Sequence, residues 1–150
     1  MVRNIQDVLF IGSGVMGSGI AANVANAAQE AGIKNITMLD IVPPELTDEQ
    51  VAKGYTLDDP NVRNFLAQKG LGRIIKDDAN HLVLPERDRR IHVGNTTDHL
   101  DEAVAKADWI VEAVPENLGI KRALYDRVVV NRRPGTILSS NTSGIPGVQL

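Results

Sequence analysis

Apolar residues fall in short runs separated by stretches with helical period. Val8-Leu9-Phe10-Ile11 is unbroken, as expected of a strand buried on both faces of a parallel sheet. Gly12-Ser13-Gly14 ends it. Residues 15–31 are small and alanine-rich, with Met16, Ile20, Val24 and Ala27 at helical spacing and Gly32 as a stop. Ile36-Thr37-Met38-Leu39 predicts a second strand that closes at Asp40, and Pro43-Pro44 bars its continuation. The tract 45–90 is the hardest to read. Residues 62–76 carry helical spacing, weakened by Gly70 and Gly72 at ~1 kcal/mol each. Residues 91–94 predict a strand, and Thr97 or Asp98 is placed to cap a helix through Lys106. A strand at 109–113, a helix at 116–131, a turn at Pro134-Gly135 and a strand at 136–139 complete the pattern. Strands alternating with helices predict βαβ units and an α/β, doubly wound parallel sheet.

Composition narrows the function classes. A length of 150 residues suits one domain. The absence of cysteine excludes a disulfide framework, a thiolate zinc site and a cysteine nucleophile. A net charge of -3 and a pI near 5.6 argue against nucleic acid or an anionic membrane as partner. The aromatics are Phe10, Tyr55, Phe65, Trp109 and Tyr125, too few for a base-stacking platform. No run approaches the ~18 apolar residues of a membrane span, and none reads as a secretory signal, so a cytoplasmic location is expected.

The strongest chemical motif is Gly12-Ser13-Gly14-Val15-Met16-Gly17, a G-x-G-x-x-G loop. It follows a strand, opens a helix and is trailed by an acid, Asp40, at the end of the next strand; that context makes it a dinucleotide fingerprint. Gly12 permits the tight turn, Gly14 lets a pyrophosphate approach the backbone, and Gly17 lets the helix pack on the strand. The helix start offers unpaired N–H groups to phosphate. Asp40 can accept hydrogen bonds from both ribose hydroxyls and would repel a 2′-phosphate. Ile41 and Val42 supply no arginine to offset that repulsion, which favours NAD over NADP. The competing readings are a glycine turn without ligand and a turn aspartate before the prolines.

A second constellation lies later. Ala113-Val114-Pro115-Glu116-Asn117 and Ser139-Ser140-Asn141-Thr142-Ser143 both follow strands and so project to the carboxyl edge, where α/β sheets bind ligands. Glu116 and Lys121 lie roughly 140° apart around a helix, so a one-turn ion pair is not expected. Glu116 also reads as an ordinary first-turn acid, and the Asn141 segment as a polar turn.

Together these segments, with Ala107-Asp108-Trp109-Ile110-Val111-Glu112 and Gly144-Ile145, resemble the NAD-binding domain of the 3-hydroxyacyl-CoA dehydrogenases of fatty-acid β-oxidation. The likeness covers essentially the whole chain. The Leu39–Pro43 tract and Leu46-Thr47 most resemble the long bacterial members, in which an enoyl-CoA hydratase-like domain is fused behind the dehydrogenase. The resemblance implies a Rossmann fold and oxidation of (S)-3-hydroxyacyl-CoA to 3-ketoacyl-CoA with NAD. It implies that Gly12, Gly14, Val15, Met16 and Gly17 hold the pyrophosphate and Asp40 the adenosine ribose. Ala113, Glu116 and Lys121 would line the nicotinamide side, Lys121 also approaching CoA. Ser143 would sit near the 3-hydroxyl and the nicotinamide, with Asn141 supporting its loop. The family's general base is a histidine in an H-F-F-N-P segment soon after S-N-T-S, a residue suited to taking a proton from an alcohol. Residues 1–150 stop short of that segment. The expectation is therefore an incomplete Rossmann domain, truncated at its C-terminal end. It would lack the family's helical substrate and dimerisation domain, would bind NAD and would not turn over. His92 reads as structural, His81 and His99 as surface residues. Residues 63–90 hold seven basic residues against four acids. Lys69, Arg73 and Lys76 there either meet CoA phosphates, as a helix of the shorter relatives does, or form a solvated helix face. A stand-alone NAD-binding module and another Rossmann hydroxyacid dehydrogenase are the alternative functions.

Overall fold

The computed structural model describes residues 4–76, 82–83 and 85–144. The chain runs β1 (Asp7–Ile11), α1 (Val15–Ala31), β2 (Asn35–Asp40), α2 (Asp48–Ala52), α3 (Pro60–Arg63), α4 (Phe65–Lys76), a 3-10 turn (Pro85–Arg90), β3 (Ile91–Asn95), α5 (Leu100–Lys106), β4 (Trp109–Glu112), α6 (Leu118–Asn131) and β5 (Ile137–Ser140). The strands form one parallel sheet in the order β3-β2-β1-β4-β5.

The side-chain period of a strand explains the layers. Val8 and Phe10 of β1 pack with Ala21, Ala25, Ile74 and Val111 on one face, under α1 and α4. Leu9 and Ile11 pack with Leu100, Val104, Leu124 and Val128 on the other, under α5 and α6. The sheet is therefore doubly wound. Because β2 and β3 lie on one side of β1, and β4 and β5 on the other, the chain reverses direction across the sheet between β1 and β4. A crevice opens at their carboxyl ends, which is where such folds bind ligands.

Several local expectations are corrected. The buried seam of α1 is Gly17, Ser18, Ala21, Ala22, Ala25 and Ala28, whereas Met16 and Ala27 are exposed. Small residues bring that helix close to the sheet. Neither Thr97 nor Asp98 caps α5; His99 occupies that position without a side-chain cap bond. Asp98 is captured instead by Arg63, whose Nε and Nη2 lie 2.8 and 2.6 Å from its carboxylate oxygens. That pairing and a bond from Asn95 hold the Asp98 carboxyl down at about 2. α6 begins at Leu118, with Asn117 Oδ1 accepting from Ile120 N, which leaves Glu116 outside the helix. His92 is exposed on β3, so it is not a core residue; His99 is exposed, and His81 lies outside the described residues. No helix among the described residues is long and apolar enough to cross a membrane.

Candidate functional site

Each glycine of the loop has its own physical reason. Gly12 has φ +101°, and a side-chain carbon there would lie 2.5 Å from the Ala113 carbonyl oxygen. The end of β4 therefore rests directly on the β1–α1 turn. A side-chain carbon at Gly17 would lie 2.0 Å from the Gly12 carbonyl oxygen, so only glycine lets α1 start this close to β1. Gly14 meets nothing within 4 Å and is exposed. Its lack of a side chain is not needed for packing; it leaves the backbone open to an approaching group. No side chain caps α1 and no acid occupies its first turn. Val15 and Met16 stand exposed at 77% and 56%. An open helix start without a resident acid is an anion-receptive surface.

Asp40 ends β2 in register with Asn95 of β3. Its Oδ2 accepts from Ser13 N at 2.7 Å and Ser13 Oγ at 2.5 Å, and its Oδ1 accepts from Ile41 N at 2.8 Å. The acid is thus tied to the glycine loop itself. α4 buttresses the same point. Arg73 Nη1 donates to the Ser13 carbonyl at 2.8 Å, and a side-chain carbon at Gly70 would lie 2.7 Å from Ser13 Cβ. Lys69 and Lys76 are exposed and, with Phe65, Gln68, Gly72 and Arg73, border a surface groove of about 550 Å³.

Beside Asp40 lies an apolar slot of about 200 Å³ whose walls include Ile41, Thr96, Leu100, Val114, Ile120 and Leu124. Sequence reasoning missed it. The signal available was Ile41 directly after the acid, exposed at 56%, and Ile120 at 49%; paired exposed aliphatics across a cleft mark a surface that covers something. Arg127 borders the slot, but its Nε and Nη2 bond Asp101 and its Nη1 bonds the Thr96 carbonyl. The slot's cation is already engaged.

The far half of the crevice is built from the ends of β4 and β5. Asn141 N donates to the Glu112 carbonyl at 2.8 Å, extending the ladder beyond β5. Glu116 Oε1 accepts from Ser143 N at 2.9 Å, Ser143 Oγ at 3.2 Å and Gly144 N at 3.1 Å. These backbone and hydroxyl donors hold the Glu116 carboxyl below its ordinary value. Glu116 and Ser143 are therefore in contact. Asn141 is exposed beside them, and Ala113 lies under Gly12.

Lys121 is placed differently from the other site residues. It is fully buried, with Nζ 2.6 and 2.7 Å from the two oxygens of Glu112, itself 1% exposed. Glu112 also accepts from Val114 N, Tyr125 OH and Ser140 Oγ. Burial raises the Glu112 carboxyl, but Lys121, Ser140 and Val114 N outweigh it and the net direction is down. Burial pushes the Tyr125 hydroxyl up. Glu112 had a signal in the sequence, an acid inside an apolar strand run, with a lysine nine residues on.

Known proteins resemble this chain in sequence and fold. Over residues 7–150 the sequence matches the family described as 3-hydroxyacyl-CoA dehydrogenase, NAD binding domain. A Bacillus subtilis (strain 168) protein named "Probable 3-hydroxyacyl-CoA dehydrogenase" is 41% identical over 145 residues, 97% of this chain and 18% of the relative. A protein of the same name from Deinococcus radiodurans is 38% identical over 142 residues, 95% of this chain and 35% of the relative. The crystal structure of 3-hydroxybutyryl-CoA dehydrogenase from Escherichia coli K12 substr. MG1655 is similar with a TM-score of 0.58 at 29% identity, over 98% of this chain and 26% of that one. The chain thus spans between 18% and 35% of the length of these three proteins.

Proposed function

The chain belongs to the 3-hydroxyacyl-CoA dehydrogenase NAD-binding-domain family, and from that premise we propose that it is the cofactor half of an enzyme oxidising (S)-3-hydroxyacyl-CoA to 3-ketoacyl-CoA. The observation that carries the reading is Asp40, tied through Ser13 to an open glycine loop and flanked by an apolar slot. Those three features match the three parts of an adenosine diphosphate in order: base in the slot, ribose on the carboxylate, pyrophosphate on the helix start. Gly12, Gly14, Val15, Met16 and Gly17 hold the pyrophosphate. Asp40 selects a free 2′-hydroxyl, and Arg127, bonded to Asp101, is not available to a 2′-phosphate.

NAD, when bound, supplies the acceptor for the substrate hydride. The chain's own work is to orient and to exclude. Ala113 and Glu116 bound the nicotinamide side, and Lys121 serves it from beneath the crevice floor. Ser143, held by Glu116, offers its hydroxyl to the substrate's 3-hydroxyl, and Asn141 supports that loop. The acyl-CoA substrate, with the base that deprotonates it, belongs to the enzyme as a whole. Residues 1–150 bind the cofactor without turnover, since His81, His92 and His99 lie in contexts unlike the family's H-F-F-N-P segment. Mixing the chain with NADH and acetoacetyl-CoA tests both parts. The expected result is enhanced NADH fluorescence with no loss of absorbance at the NADH band. Oxidation of NADH would refute the inactive assignment, and unchanged fluorescence would refute the cofactor assignment.

A further inference from the structure

A buried ion pair is a poor way to gain stability, because desolvating two charges offsets most of their attraction. The Lys121–Glu112 pair, with side chains 1% exposed, therefore calls for another reason. Its geometry supplies one. The Glu112 carboxylate gathers donors from separate pieces of chain: Val114 N at 2.8 Å in the turn after β4, Lys121 Nζ and Tyr125 OH from α6, and Ser140 Oγ at 2.7 Å from the end of β5. Ser140 Oγ in turn accepts from Thr142 N at 3.1 Å. One path of hydrogen bonds thus leads from a buried charge pair to the middle of the loop 141–144. The far end of that loop is pinned by Glu116 on Ser143 and Gly144. Both pins come from the end of β4, the segment on which the glycine loop rests.

We propose that Glu112 is a positioning residue: acting through Ser140, and locked in place by Lys121, it sets the loop carrying Asn141 and Ser143 against the nicotinamide half of the crevice. Lys121 then acts on that loop as the internal counter-charge of Glu112. Asp40 and the glycine loop are outside this hydrogen-bond path, and the slot meets it only at the backbone of Val114. The inference rests on the NAD reading above, and it separates the two halves of the cofactor.

The test is calorimetric titration of the 150-residue chain with ADP-ribose and with NADH. Ser140→Ala cuts the path at an exposed residue with the ion pair left intact. Glu112→Leu combined with Lys121→Met removes both charges together. Both should leave ADP-ribose affinity within about twofold of wild type while lowering the NADH-to-ADP-ribose affinity ratio about fivefold to tenfold, the scale of one lost hydrogen-bonded anchor. Ser140→Thr, which keeps the hydroxyl, should restore the ratio. A merely structural role would weaken both ligands in parallel; that result, or an unchanged ratio in Ser140→Ala, overturns the inference. If the double variant fails to fold, the Ser140→Ala and Ser140→Thr comparison decides alone. A wild-type chain that binds neither ligand refutes the NAD reading itself, and one that binds NADH no more tightly than ADP-ribose refutes the positioning role alone.

Discussion

Removing Lys121 while leaving Glu112 tests the buried pair directly. Lys121→Met replaces a fully buried ammonium with a thioether of similar reach, so little volume is lost. What is lost is the counter-charge of a carboxylate that is 1% exposed and cannot turn to water. Breaking one side of a buried pair costs about 3–5 kcal/mol, a large share of the ~5–15 kcal/mol that keeps a domain folded. With a urea slope of ~2 kcal/mol per molar, the unfolding midpoint should fall by about 2 M. The Glu112→Leu, Lys121→Met double variant removes the uncompensated charge along with its partner. It should recover part of that loss, the remainder being the cost, about 1–3 kcal/mol, of leaving Val114 N and Tyr125 OH without the acceptor they share. Urea unfolding followed by Trp109 fluorescence reads both. A single variant that loses under ~1 kcal/mol, or a double variant no better than the single, would show that the two charges are not coupled in a dry environment.

Other outcomes follow from the same geometry. Gly17→Ala places a methyl 2.0 Å from the Gly12 carbonyl oxygen, and should displace α1 and abolish measurable NAD binding by calorimetry. Asp40→Asn should weaken NAD about tenfold, as loss of charge-assisted hydrogen bonds does, and should narrow the gap between NAD and NADP. The Glu116 carboxyl is depressed by Ser143 and Gly144. Its hold on the loop is complete above the ordinary carboxylate value of ~4.3 and is lost only as pH falls through the depressed folded value. The amide resonances of Ser143 and Gly144 should therefore stay fixed from pH 7 to about 5 and move below about 4; movement near pH 6 would contradict the contact.

The strand runs, the helix stop at Gly32 and the G-x-G-x-x-G loop were legible because each is a local signal. Period-two burial, left-handed glycine and tight turns are decided within a few residues. The buried face of α1 was misread because hydrophobic pattern weighs large side chains, while this seam is made of Gly17, Ser18 and four alanines that pack by closeness. Asp98 is an acceptable cap by sequence, but Arg63, 35 residues earlier, competes for it across the tertiary fold. Among the site residues, Gly12, Asp40, Glu116 and Ser143 stood out as motif positions, and all face the carboxyl edge of the sheet. Glu112 did not stand out, because its meaning depends on Lys121, Tyr125 and Ser140 arriving from two other elements. The apolar slot escaped notice for the same reason: Ile41, Leu100, Val114 and Ile120 come from four separate segments.

If residues 1–150 form an NAD site, its ribose selectivity lies in Asp40. Calorimetric titration of the chain with NAD and with NADP tests it most directly. Saturable one-site binding of NAD is expected, with NADP weaker by at least about tenfold because its 2′-phosphate meets an uncompensated carboxylate. Equal affinity for the two, preference for NADP, or binding of neither would contradict it.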